Sequence, residues 1–169
     1  MTHPIVFHLC PVDETDLPAL LEVYRGCEDF LALGPHPQAS PEMVRADLEL
    51  SRSSGSQFHG IRDESGRLIG VADWRAGGFE GQADTADIEL LMIARPYRRQ
   101  GLGHAIVAEI EKRIRQEGRA AQIASGVQVN NRAAMRFWLR CGFRSAGPPQ
   151  KQADGTTSIP LLKDLHGSN

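Results

Sequence analysis

The sequence has no long apolar run. No uninterrupted stretch approaches the ~20 residues that crossing a bilayer takes, so no membrane span is expected. Cysteine is scarce: Cys10, Cys27 and Cys141 are far apart, odd in number and without CxxC spacing. A disulfide framework and a cysteine-based metal site are both unexpected on that pattern. Six histidines are scattered with no HxxxH pair, so no metal is expected at all. Positive charge is in deficit, with 19 Lys and Arg against 21 Asp and Glu and a net charge of -2. That sign excludes a generic nucleic-acid binder, whose affinity rests on neutralising phosphates. The opening "MTHPIVFHLCPVDE" lacks a basic region followed by a long apolar core. No signal peptide is read there, and a reducing cytoplasm is the expected location. Repeats and low-complexity blocks are missing too.

What is present reads as one mixed α/β domain over residues 1–169, large enough to bury its own core. "IVFHLCPV" (5–12) is β-rich and apolar. Leu17, Leu20, Leu21 and Tyr24 then fall at i, i+3, i+4 and i+7, an amphipathic helix. After the loop "LGPHPQAS", Ser40 followed by Pro41 is an N-cap with proline at the first helical position, opening a second helix. "QFHGIRD", "ESGR" and "LIGVADWRA" predict a hairpin turning at Gly66. "ADIELLMIA" is the most apolar strand and suits the centre of a sheet. A helix from Gly103 to about Glu117 shows one face of Leu102, Ile106, Ile110 and Ile114. Its i,i+4 pairs, Glu109–Arg113 and Glu111–Arg115, are expected on other faces. "AAQIASGVQV" is a further strand and "NRAAMRFWLRC" a helix ended by Gly142. "FRSAG" and "TTSIPLLKDL" predict a closing strand pair. The central strand–loop–helix–strand unit is expected to be parallel and right-handed.

The chemistry concentrates at "RRQGLG", residues 98–103, between the most apolar strand and its helix. The first turn of a helix carries N–H groups with no intrahelical partner, and the helix dipole adds partial positive charge there. Gly101 and Gly103 keep Cβ atoms off the backbone, so successive N–H groups can wrap an anion. Residues 95–104 hold three arginines and no acid. A pyrophosphate cradle fits that pattern. A tight, solvated turn fits it as well. The stretch is neither a Walker loop nor a GxGxxG turn.

Downstream, "NRAAMRFWLRCGF" places Asn131 just before a helix, then Ala134, then Phe137-Trp138 and Gly142-Phe143. With both motifs in this order, one βα unit apart, the chain resembles the GCN5-related N-acetyltransferase (GNAT) superfamily. The resemblance covers nearly the whole chain and is most specific over the cofactor core, 86–143. It implies a mixed, mostly antiparallel sheet with a splayed central parallel pair, flanked by about four helices. It also implies direct acetyl transfer from acetyl-CoA to a primary amine of a small molecule or peptide. A non-catalytic acyl-CoA-binding regulatory module is the alternative, and a homodimer is a family-level expectation.

On that resemblance, pyrophosphate falls to Arg98, Arg99, Gln100, Gly101, Leu102, Gly103 and His104. The pantetheine arm falls beside Leu91, Met92 and Ile93, where the family splays two strands and leaves backbone groups free. Asn131 matches a pantetheine contact and equally an N-cap. Phe137 and Trp138 are cofactor-wall and core residues. Asp87 and Glu89 are two apart on one strand, hence expected on one face continuing through Leu91 and Ile93. Glu89 is the preferred base and Asp87 the alternative, against the plainer reading of acceptor-binding or salt-bridged acids. Two departures from the family pattern stand out. Trp138 replaces the tyrosine that many members use to protonate the leaving thiolate. Gly126 stands where some branches carry a glutamate. Tyr97 is read as a packing or loop residue, and an acyl-Cys141 route is not expected from its buried helix-end position. The acceptor pocket is expected from "CEDFLALGPHPQAS" and "AGPPQKQADGTTS". Within the first, Glu28, Asp29 and Phe30 suit a cationic amine or simply a solvated helix end. Trp74 could line the site or pack.

Overall fold

The computed structural model describes residues 6–166, so Ile5 of the first predicted strand lies outside the described residues. β1 (Phe7–Pro11) leads through a single 3-10 turn into α1 (Leu17–Arg25) and a four-residue α2 (Glu28–Leu31). Then follow α3 (Pro41–Ser54), β2 (Gln57–Asp63), β3 (Leu68–Arg75) and β4 (Thr85–Ile93). α4 (Leu102–Glu117), β5 (Gln122–Gln128), α5 (Arg132–Arg140), β6 (Arg144–Ser145), β7 (Gln150–Lys151) and β8 (Thr157–Asp164) complete the chain. Two elements escape sequence pattern because they are too short for periodicity: α2 and β7. Among the described residues the α-helices number five, against an expectation of about four.

Local chemistry explains most boundaries. The Ser40 side chain accepts from the Met43 amide, and Pro41 takes the first helical position of α3. Asn131 caps α5 by accepting from the Ala134 amide at 3.0 Å. Gly66 turns the β2–β3 hairpin at φ 82°.

The sheet runs β1-β2-β3-β4-β5-β8-β6, with β7 added on β8. All its pairings are antiparallel except β4–β5. That parallel pair holds only over Thr85–Asp87 against Gln122–Ala124. Beyond it the two strands part, and Ser125 Oγ donates to the Ile88 carbonyl at 2.9 Å where the ladder has ended. The expected splay is therefore present.

Helices cover both faces. Ile106, Ile110 and Ile114 of α4 are fully buried against Ala86, Ile88 and Ile123 of the sheet. Each such side chain contributes roughly 1.5–3 kcal/mol relative to exposure. On the opposite face Leu20, Val23 and Tyr24 of α1 and Val44 of α3 pack on Phe58, Val71 and Met92. Leu17 and Leu21 only border this cluster. Glu109–Arg113 lies on the surface of α4 as expected. Glu111 does not: it is 6 % exposed and its main partner is Lys163 of β8, at 2.6 Å. No described helix is long and apolar enough to cross a membrane.

Candidate active site

β4 ends at Ile93, Arg95–Tyr97 form one 3-10 turn, and α4 begins at Leu102. Between them Arg99 and Gly101 both take left-handed conformations, φ 61° and 81°. Such a value comes free to glycine and strains arginine. Left-handed residues of this kind can turn successive amides toward one anion. Among the described residues, no N–H from Arg99 through His104 donates to a protein acceptor. Six consecutive donors are left at the positive end of a sixteen-residue helix.

The side chains of this loop divide. Arg98 Nε donates to the Ile93 carbonyl at 2.6 Å, and its two terminal nitrogens hold both oxygens of Asp29 at 2.6 and 3.0 Å. The guanidinium therefore ties the loop to α2, and the ion pair holds the Asp29 carboxyl below its usual range. Arg99 and Gln100 are exposed at the tip. Gly103 has a different reason from the one its motif suggests. A Cβ there would lie 2.8 Å from Phe137 Cε2 and 3.6 Å from Ile93 Cδ1, so the glycine lets α4 close on α5. Phe137 thereby buttresses the loop, touching His104 edge-to-face at 5.2 Å.

The parting of β4 and β5 opens a cleft of about 710 Å³. Leu91, Val127, Asn131, Ala134 and Trp138 line one part of it. Leu91 and Ile93 border the α4-side core, whereas Met92 is buried in the α1-side core. Among the described residues, no strand pairs with the edge of β4 from Glu89 to Ile93 that faces β5. Asn131 Oδ1 is engaged by its cap, while its amide nitrogen has no bonded acceptor among the described residues. Trp138 is 7 % exposed and stacks edge-to-face on Phe137 and Phe143.

The carboxylates require one correction. Strict alternation puts Asp87, Glu89, Leu91 and Ile93 on one face. In the structure Asp73 of β3 pairs with Leu90, and Trp74 pairs with Ile88, leaving Glu89 without a partner. Glu89 is thus a β-bulge, and a bulge reverses the side-chain phase beyond it. Ala86 and Ile88 before it, and Leu91 and Ile93 after it, all meet the α4-side core. Asp87 faces the other way, at 1 % exposure, with Arg75 Nε on its Oδ1 at 2.8 Å. Both acids still line the cleft. Glu89 opens to solvent. The protein around it, and then the charge of Asp87, push its carboxyl above the ordinary glutamate value.

Asp73 and Asp47 stand behind this pair. Asp73 accepts from Ser51 Oγ at 2.9 Å, and Asp47 accepts from the buried Tyr24 hydroxyl at 2.6 Å. Burial first, and then the charges of Glu89, Asp87 and Asp47, push the Asp73 carboxyl up to about 6. A carboxyl raised on folding favours the folded state while protonated, and that contribution is lost as pH climbs from about 4 through about 6. Asp73→Asn removes the titration and keeps an acceptor for Ser51. Its stability relative to the parent is expected to rise across that window by on the order of 2–3 kcal/mol. Urea unfolding of both proteins at about pH 4 and about pH 8 measures the change; a pH-independent difference would contradict it.

Residues with no motif complete the picture. Phe30 lines the cleft, but Glu28 accepts from the Ala39 amide and Asp29 is bound by Arg98. Trp74 is buried beneath a stacked His59 and packs rather than lining the cleft. Tyr97 borders the α4-side core, and no tyrosine lines the cleft among the described residues. Burial pushes the Cys141 thiol up to about 11, and it lies outside the cleft. Neither the thiolate fraction nor the position suits a nucleophile.

The site thus combines a glycine-bearing loop rich in free amides, the separation of two parallel strands and an acid-lined cleft. A family model described as "Acetyltransferase (GNAT) family" matches residues 17–143. The chain belongs to that family. Solved structures agree in fold. An acetyltransferase from Thermus thermophilus is 22 % identical with a TM-score of 0.77, over 97 % of this chain and 100 % of that one. The ribosomal-protein-S18-alanine N-acetyltransferase from Escherichia coli is 18 % identical at TM-score 0.68, over 97 % of each chain. Spermidine N-acetyltransferase from Vibrio cholerae, solved with CoA and spermine, is 13 % identical at TM-score 0.68, over 92 % of this chain and 94 % of that one. A search of curated protein sequences returned no match.

Proposed function

We propose that the protein transfers an acetyl group from acetyl-CoA directly to a primary amine. The observation that carries this reading is the run of six unpaired amides, Arg99 to His104, set against an unpaired edge of β4. The first is a site for pyrophosphate, with Arg99 adding charge. The second can pair with the amide-bearing arm of CoA as a further strand would. Asn131 offers its free amide nitrogen to that arm, and Phe137 and Trp138 support the wall beside it. Acetyl-CoA supplies an acyl thioester with a thiol of pKa near ~8.5 as leaving group. An N–H between Leu91 and Ile93 stabilises the carbonyl oxygen as negative charge gathers there. Glu89, placed at the opening by its bulge, takes the proton of the attacking ammonium, and its raised carboxyl suits a base better than an ordinary glutamate.

The missing cleft tyrosine favours a second reading, a module that binds acyl-CoA without turning it over. Release of free thiol from acetyl-CoA in the presence of a panel of amines separates the two. The proposal expects amine-dependent release; binding of acetyl-CoA without release by any amine would support the module. Calorimetric titration with acetyl-CoA against ATP tests the carrier itself, and equal affinity for both would overturn the reading.

The loop makes its own prediction. Gly101→Val forces a branched residue to φ 81°, at a cost of about 1–2 kcal/mol or more, with nothing within 4 Å to clash. Acetyl-CoA affinity is expected to fall by roughly 5–30-fold or more. A calorimetric Kd unchanged from the parent would show that the left-handed loop conformation is not used.

A further inference from the structure

The cleft carries charge of one sign only. Among the described residues that line it, four are carboxylates, Glu80, Asp87, Glu89 and Asp154, and none is Lys, Arg or His. Asp73 and Asp47 stand behind them, close enough that their charges are felt at Glu89 or that Glu89 is felt by them. Arg75 is bonded to Asp87 through Oδ1 alone. Oδ2 of the same carboxylate is buried without a donor, on a side chain only 2 % exposed. A buried carboxylate oxygen without a donor is costly, so it marks a place where a donor from outside the protein is welcome. Positive charge lies outside that lining, on exposed Arg99 at the loop tip, while Arg98 is neutralised by Asp29.

One protonated amine does not satisfy that arrangement. To attack, the reacting nitrogen must give up its proton and become neutral, which leaves the remaining carboxylates uncompensated at the moment of reaction. A second nitrogen that stays protonated compensates them throughout. We propose that the acceptor is a small di- or polyamine, its reacting nitrogen at Glu89 and a further ammonium held by Asp87, Glu80 and Asp154. Phe30, on the same lining, offers a ring face to such a cation. An acceptor with a carboxylate near its amine is disfavoured, because no lining cation would pair with it. The volume of about 710 Å³ is that of a small-molecule pocket.

This inference rests on the acetyltransferase reading, and its test keeps the two apart. Butane diamine, butylamine, aminobutanoate and a short lysine-containing peptide are compared, first by calorimetric binding in the presence of CoA and then by thiol release from acetyl-CoA. The diamine is expected to bind and react at least about tenfold better than butylamine at low salt, with aminobutanoate last. The advantage should shrink in high salt. Glu80→Gln combined with Asp154→Asn changes two exposed residues and should leave the fold intact. It should raise the diamine KM severalfold, at unchanged kcat, and spare butylamine. Equal binding of diamine and butylamine, preference for aminobutanoate, or a tenfold preference for the peptide would each overturn the inference. Absence of acetyl-CoA binding would overturn the enzyme reading alone, and the order of amine binding would still decide this one.

Discussion

Glu89→Gln is expected to lower kcat by roughly 10²–10⁴-fold while acetyl-CoA binds with its affinity unchanged. The substitution keeps the size and one acceptor of the side chain and removes its ability to take a proton. Among the described residues Glu89 has no ion-pair or hydrogen-bond partner, and it sits on a bulge already unpaired with β3, so stability should barely move. The split between kcat and Kd separates a base from a carboxylate that only attracts the acceptor, which would raise KM instead. The pH profile adds a second reading. Because the Glu89 carboxyl is held above the ordinary glutamate value, activity should rise with pH as it ionises, and that limb should vanish in the variant. An undiminished kcat would remove Glu89 from the mechanism.

Lys163→Met is expected to destabilise the fold by about 3 kcal/mol, near the low end for breaking a buried ion pair. Lys163 Nζ reaches Glu111 Oε1 at 2.6 Å and the Cys141 carbonyl at 2.7 Å, tying β8 to α4 and to the end of α5. Its loss leaves Glu111, at 8 % side-chain exposure, with only Arg115 at 3.6 Å, and leaves a helix-end carbonyl without its donor. Replacing Glu111 by Leu in the same protein removes the orphaned charge, so the double variant should regain most of the loss. Urea unfolding measures both. A double variant no more stable than Lys163→Met would show that the pair is not what the lysine supports.

These two sites mark how far the sequence could be read. The free amides at the tip of α4 were legible because their cause is local: two glycines, three arginines and a helix start lie within ten residues. The capping of α3 by Ser40 and of α5 by Asn131 is local in the same way. The splay of β4 from β5 is not local, and only the resemblance to a family pointed to it. The bulge at Glu89 is a property of the register between two strands, so alternation within one strand misassigned the face. The Arg98 guanidinium is held by Asp29, 69 residues away, a pairing no local pattern reveals. Glu111 was read as one half of a helix-surface pair, whereas its closest partner is 52 residues distant. Asp73 carries no motif; burial and three neighbouring acids give it its character.

The central claim is that a thioester carrier lies between the amides of the α4 tip and the unpaired edge of β4. Amide chemical shifts of isotope-labelled protein during titration with acetyl-CoA test it most directly. Large shifts confined to residues 99–104, 89–93 and the vicinity of Asn131 are predicted, saturating together. Saturation with those amides unmoved, and the changes elsewhere, would contradict the account.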